Sequence, residues 1–256
     1  MRADSGPDVT TDGLLNHRVR VRQPATGYRV AIDPVFLAAA VPASAGARVL
    51  DAGTGVGAAA LCLLARVPGC YVAGIEIQDR LASLAQDNAR LNGRSDRFDV
   101  VVGDIRHGAA SLGRAQFDHV MANPPFNPPG SAASRLLSRD VAVREGDASL
   151  ATWLNFCRDM VRPAGTVTII HRPEREDELV AAFPRSAISL FPLLARSGGE
   201  VRRLVFQARL GAVAGVRRMT GMVLHDEDGR FSPAAEAVLR HAAALDWTVR
   251  DGTAGG

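Results

Sequence analysis

Lysine is missing from this chain of 256 residues, and all 30 basic side chains are arginine. The arginine codons of a GC-rich genome explain the residue type, while the planar guanidinium also suits phosphate contacts. Placement is therefore the informative feature. Cysteine is scarce too: Cys62, Cys70 and Cys157 form no CxxC pair and no metal-ligand spacing with the six histidines. That argues against a disulfide framework and a structural zinc site, and it suits a reducing cytoplasm. No apolar run approaches the roughly 18 residues that a membrane-spanning helix needs. The opening MRADSGPDVTTDG lacks the apolar core of a signal peptide and reads as a short disordered arm. Repeats and low-complexity tracts are absent. The expectation is a cytoplasmic protein without membrane or metal, with a monomer favoured.

What is present is ordinary for a globular domain: 47% hydrophobic and 22% charged residues, with a net charge of +3. The length suits one domain with additions. We divide it into a disordered arm over 1–17, an N-terminal strand and helix over 18–44, a main domain over 45–245 and a flexible tail over 246–256. Arg18, Arg20 and Arg22 alternate along a strand over 18–23 and would share one face. Such a face attracts a polyanion, although a solvated surface would look the same. Arg202, Arg203, Arg217 and Arg218 gather late in the chain.

From residue 33 onward the pattern alternates. Asp33-Pro34 reads as an N-cap and first position of a helix. Strands follow near 48–51, 71–77, 98–102, 117–122 and 166–170, and helices near 57–66, 79–91, 150–161 and 174–183. The last two strands, at 188–190 and 201–209, have only a loop between them, so the final one should run antiparallel. A helix after Ser232-Pro233 closes the chain. Alternation of this kind builds a parallel sheet covered on both faces. The expected fold is therefore the α/β class I methyltransferase fold: a Rossmann-like, seven-stranded, mostly parallel sheet with one late antiparallel strand.

Asp51-Ala-Gly53-Thr-Gly55-Val-Gly57 lies between a strand and a helix, where glycine lets the backbone turn tightly against a ligand. Such a loop also suits a dinucleotide. An acid beside the loop would repel a pyrophosphate, whereas S-adenosylmethionine presents a sulfonium and an amino group that Asp51 attracts. Glu76 ends the second of these strands and could accept the ribose hydroxyls, a role it would fill for either ligand. Asp104, with Ile105 beside it, follows the third and could receive the adenine amino group. Ligands of such sheets bind at the carboxyl ends of the strands.

Asn123-Pro124-Pro125-Phe126 follows the fourth strand. An exocyclic amine is a poor nucleophile because its lone pair is delocalised into the ring. Two acceptors for its N–H groups draw it toward tetrahedral geometry and free the lone pair. The Asn123 side chain and the Pro124 carbonyl can supply them, the prolines fixing that carbonyl's direction. Phe126 offers a stacking face worth about 1–3 kcal/mol. No general base is required. A paired base could not reach such a pocket, so the target is in a loop or flipped out.

These motifs together resemble the amino-methyltransferases of the Asn-Pro-Pro-aromatic type. Further segments are similar to the bacterial tRNA1(Val) adenine-37 N6-methyltransferase family: Tyr28 to Leu37, Leu50 to Leu64, Asn88 to Gly93, Met121 to Phe126 and Val223 to Pro233. The resemblance spans about residues 14 to 245. It implies that Asp51, Gly53, Gly55, Glu76, Asp104 and Ile105 bind S-adenosylmethionine, and that Asn123, Pro124 and Phe126 hold an adenine beside the anticodon. It places Asp33 near the cofactor's methionine end, a residue that helix capping explains equally well. Arg135, Arg139 and Arg144 would lie in a loop covering the RNA. Enzymes with the same motif act on ribosomal RNA, DNA adenine or a protein glutamine amide. A glutamine N5-methyltransferase usually carries a helical N-terminal domain, for which about 45 residues leave little room. A non-catalytic RNA-binding protein of this fold would not need Asp51, Glu76, Asp104 and Asn123 intact. A dinucleotide-dependent oxidoreductase lacks an evident hydride-transfer acid here.

Overall fold

The computed structural model describes residues 8–26, 29–107, 112, 116–126 and 148–247. Its centre is a sheet whose strands take their register from alternating side chains. Along β3 (Arg48–Ala52), Val49 enters the core on one face and Leu50 and Ala52 the core on the other. β6 (Phe117–Ala122) and β7 (Val161–His171) divide Met121 from Val120 and Ile170 from Ile169 in the same way. Strands apolar on both sides must be covered on both sides.

Beyond these, the sheet contains β4 (Tyr71–Glu76), β5 (Phe98–Val102), β8 (Ser186–Leu194), β9 (Val201–Leu210), β10 (Gly215–Arg218) and β11 (Met222–Val223). Its order is β10-β8-β9-β7-β6-β3-β4-β5, with β11 also paired to β8. β9 runs antiparallel to both β7 and β8, as the missing crossover helix demands. The count departs from expectation. Among the described residues the sheet has nine strands rather than seven, because β10 and β11 extend it in parallel beyond β8. All four residues of β10 are exposed, so no buried alternation marked it in the sequence.

Helices α1 (Asp33–Ala40), α2 (Ala58–Arg66), α3 (Asp79–Leu91) and α6 (Pro233–His241) cover one face. Helices α4 (Leu150–Met160) and α5 (Glu176–Ala181) contribute Leu154, Cys157 and Leu179 to the other. Local chemistry fixes their ends. Ser149 and Ser232 each cap a helix by accepting the N–H of the residue three further on, at 3.2 Å. Asp33 does not cap α1 with its side chain, contrary to expectation; the N-cap is Ile32, and the carboxylate is engaged elsewhere.

A second correction concerns the N-terminus. Val9–Leu14, inside the segment expected to be disordered, forms β1, antiparallel to β2 (Val19–Pro24). This hairpin is bound to α3 by two asparagines one turn apart. Asn88 Oδ1 accepts the Arg22 N–H at 2.8 Å while its Nδ2 donates to the Arg22 carbonyl at 2.9 Å. Asn92 repeats both bonds with Arg20, at 2.9 and 2.7 Å. Two carboxamides thus satisfy the open edge of β2 as a neighbouring strand would. The expected tail falls almost wholly outside the described residues, which end at 247.

Candidate active site

The order of the sheet decides where a ligand can sit. From β3 the chain moves outward to β4 and β5, then returns to the other side of β3 as β6. Crevices open at such a reversal, beyond the carboxyl ends of the strands. Here an open cleft of about 320 Å³ lies between Asp51 and Gly53 at the end of β3 and Asn123 after β6, with Pro34, Leu37 and Thr54 on its walls. A second hollow, of about 160 Å³, lies between Leu15, Cys62 and Val238 and is lined by no acid.

Each acid of the sheet edge has its own setting. Asp51 is buried and accepts a 2.6 Å bond from the Thr54 hydroxyl. Burial pushes its carboxyl up to about 7, helped by the charge of Glu76 and opposed by hydrogen bonds from Thr54 and the Ala60 backbone. A carboxylate so placed gains from a cationic ligand. Glu76 is equally buried, and its two oxygens accept the Gly55 and Gln78 N–H groups, both at 2.9 Å. Burial raises its carboxyl too, with those backbone bonds in opposition. It ties the end of β4 to the glycine loop and keeps lone pairs for hydroxyl donors. Asp104, next along the edge, is held below the usual carboxylate range by its bond to Arg106. Ile105 beside it is buried.

The glycine loop is shaped by what packs on it. Gly53 has a φ of 65°, and a Cβ there would come within 2.4 Å of the Trp153 indole. Trp153, on α4, therefore roofs the loop. Gly57, with a φ of 84°, would meet Phe98 at 2.7 Å.

Asn123 stands on the cleft wall with its Oδ1 buried and unpartnered. Pro124 is buried behind it, and Phe126 is half-buried. Three side chains surround the Phe126 ring. His171 meets it edge-on, with centroids 5.2 Å apart, and the guanidinium carbons of Arg203 and Arg172 lie 4.4 and 5.9 Å from its centre. His171 is fully buried; its ring nitrogens meet no partner at full hydrogen-bond geometry, though the Arg172 and Pro125 backbones lie close enough to favour the protonated ring. Burial, with the nearby Arg175 cation, pushes its imidazole down to about 4, so it is neutral. Among the described residues five buried side-chain polar atoms lack a partner, and four of them belong to Asn123, Trp153 and His171. Folded proteins leave few such atoms, and each needs a reason. Of these, Asn123 Oδ1 lines the cleft, Trp153 covers its glycine loop and His171 backs the Phe126 ring.

The remaining candidates lie apart. Asp33 does not line the cleft; its two oxygens accept the Arg203 Nε at 3.1 and 3.0 Å. Arg20 sits at the opposite rim, where α3 ends, and donates to the Leu91 carbonyl. Arg18 precedes β2 and donates to the Arg240 carbonyl at the end of α6. Arg22 shares the outward face of β2 with Arg20. Arg135, Arg139 and Arg144 lie outside the described residues. Trp153, His171 and Arg172 were not picked out from sequence, and Arg203 was read only as part of a late basic cluster. The one available signal was position: His171 and Arg172 follow a buried strand at the carboxyl edge.

Known proteins bear on the same arrangement. The family model for the methyltransferase small domain matches residues 29–146. A tRNA1(Val) (adenine(37)-N6)-methyltransferase of Yersinia pseudotuberculosis is 32% identical over 234 residues, covering 89% of this chain and 90% of that one. Its counterpart from Aeromonas hydrophila is 27% identical, covering 86% and 92%. The crystal structure of a predicted O-methyltransferase from Agrobacterium tumefaciens superposes with a TM-score of 0.69 at 22% identity, over 86% of this chain and 99% of that one, which shows a shared fold alone. With 32% identity sustained over 89% of its length, and a cleft at the reversal of a methyltransferase sheet, this chain belongs to the tRNA1(Val) (adenine(37)-N6)-methyltransferase family.

Proposed function

We propose that this protein transfers a methyl group from S-adenosylmethionine to the exocyclic N6 of an adenine in RNA, with adenine 37 of tRNA1(Val) as the substrate, acting as a cytoplasmic monomer. One observation carries the reading. The unpartnered Asn123 Oδ1 faces the same cleft as Asp51, whose burial leaves its carboxylate in need of a cation. Among the described residues there is no helix long and apolar enough to cross a membrane and no metal-ligating group of side chains.

The residues fit the cofactor. Asp51 suits its ammonium, Gly53 and Gly55 allow close approach, Glu76 suits the ribose, and Asp104 with Ile105 suits the adenine. When bound, S-adenosylmethionine supplies an electrophilic methyl group. Asn123 Oδ1 accepts one N–H of the target amine and the Pro124 carbonyl accepts the other, localising the nitrogen lone pair. Phe126 holds the base by its face. The proton leaves the methylated amine to water, so no side chain has to act as a base.

RNA reaches this site along the carboxyl edge of the sheet, past Arg172. Arg18, Arg20 and Arg22 form a more distant phosphate contact, and Arg135 and Arg139 are further RNA contacts. The test is single-turnover transfer of labelled methyl to unmodified tRNA1(Val), followed by nucleoside analysis. Label in N6-methyladenosine is the expected result. Label at a ring nitrogen or carbon, or in protein glutamine instead of RNA, would overturn the assignment.

A further inference from the structure

Two side chains that the proposed chemistry leaves unused meet beside the base-stacking ring. Asp33 opens α1 and is buried, and Arg203 is half-buried near the start of β9; 170 positions separate them in the chain. Asp33 accepts the Arg203 Nε with both oxygens, at 3.0 and 3.1 Å. Arg203 also donates through Nη1 to the Arg202 carbonyl at 2.8 Å, so the guanidinium is anchored on two sides. Its carbon lies 4.4 Å from the centre of the Phe126 ring. Arg172 lies at 5.9 Å from the same centre and is exposed, and among the described residues its guanidinium has only that ring contact. One cation over the ring is therefore held on two sides.

We infer that Asp33 and Arg203 form a positioning pair for the acceptor base: Asp33 holds Arg203, Arg203 holds the plane of Phe126, and that plane sets the angle at which the base presents its amine to Asn123. The inference rests on the reading of the cleft as a site for amine methylation. It moves Asp33 from the cofactor to the substrate side of the site.

Charge explains why the pair has two members. A lone guanidinium close to the target would oppose transfer of a methyl group that arrives with positive charge. Asp33, at 3.0 Å, cancels that charge and leaves the flat, weakly hydrated face of the guanidinium against the ring. Geometry explains why the ring must be held. Stacking permits the base to slide and tilt, whereas in-line attack does not, so a loosely held Phe126 would lower the fraction of bound bases that react.

The experiment uses the full chain and the variants Asp33→Asn, Arg203→Gln, Arg203→Lys and the Asp33→Asn with Arg203→Gln double. Calorimetry gives the affinity for S-adenosylmethionine, and steady-state assays on unmodified tRNA give KM and kcat separately. Arg203→Gln and Asp33→Asn should each lower kcat/KM for RNA by about tenfold. Cofactor affinity should stay within about twofold of wild type. The double variant should be no worse than the worse single one, because both act on one contact. Arg203→Lys keeps the charge without the planar fork and should recover only part of the loss; it also carries the test should Arg203→Gln melt early. Two results would overturn the pair: a tenfold weaker cofactor with Asp33→Asn at unchanged RNA kinetics, or RNA kinetics unchanged in every variant. If wild-type protein methylates no RNA, the RNA reading fails on its own. Lost cofactor affinity in Asp33→Asn would then refute the pair as well.

Discussion

Asn123 can be asked directly what its unpartnered oxygen is for. A buried carbonyl without a donor costs about 1–3 kcal/mol, which the free protein bears at the wall of its cleft. If the target amine is the missing donor, the bond strengthens as the nitrogen becomes tetrahedral, and the benefit appears in the transition state. Asn123→Ala should then slow methyl transfer by about a hundredfold or more while cofactor affinity is kept; wild-type single-turnover rates in that variant would refute the role. Asp51 makes a prediction of the opposite kind, on binding and pH. Its folded carboxyl titrates near 7, against an ordinary value of 3.8, because burial disfavours the charge. The sign follows. Between about 4 and 7 the folded protein holds a proton that the unfolded chain has released, so this group's contribution to stability is greatest at low pH and is lost as pH rises through 7. A cationic cofactor needs the ionised form, so affinity for S-adenosylmethionine should weaken as pH falls below 7, by up to about tenfold per pH unit. Asp51→Asn should bind weakly and with a flat profile. Calorimetry at pH 6, 7 and 8 is the check, and an affinity independent of pH in the wild type would separate Asp51 from the cofactor ammonium.

Elements show how local signals and long-range contacts divide the work. Helix α3 carries its apolar residues on one face, and that much was readable. Its two asparagines were read only as part of a helix end, yet they replace a strand for β2. Asn88 also donates to the Val56 carbonyl at 2.9 Å, joining hairpin, helix and glycine loop at one fully buried side chain. Asn88→Ala would strand three backbone groups and should cost about 2 kcal/mol or more, lowering the melting temperature by about 5 °C. Asn88→Asp should be worse, since it keeps one acceptor, loses both donors and buries a charge. Melting curves equal to wild type would show that water replaces the carboxamide. The same division sets what the sequence could disclose. Asp51, Glu76 and Asn123 can be singled out because each lies at the carboxyl end of a strand, and such ends in a doubly covered sheet converge on one crevice. Strand β1 was not, since VTTDGL has no apolar alternation and gains order only by pairing with β2. Arg203 could not be matched to Asp33 across 170 positions, nor Trp153 to Gly53 from opposite sides of the Asn-Pro-Pro-Phe segment, because only the folded sheet brings them together.

At the scale of the whole molecule the question is how an RNA lies on it. The Phe126 ring and Arg172 are at the carboxyl rim of the sheet. Arg20 is at the amino rim, because α3 starts after Glu76 at the end of β4 and finishes at Leu91, before β5 begins. An RNA that touches both must be large and folded, and a short stem–loop presenting the target adenine would touch the first alone. This separates two roles for the hairpin arginines. If Arg20 and Arg22 meet phosphate, changing both to Glu should weaken binding of whole tRNA and reduce the slope of log affinity against log salt by about two. The same variant should bind the excised stem–loop as wild type does. Arg172→Glu should weaken both ligands, since both must pass it to reach Phe126. The Arg20 side chain also caps the Leu91 carbonyl at 3.3 Å, so a melting curve must accompany each variant to separate lost contacts from lost structure. Whole tRNA bound with wild-type affinity and slope by a fully folded Arg20→Glu, Arg22→Glu protein would assign both arginines to the hairpin's own architecture and confine the RNA to the carboxyl rim.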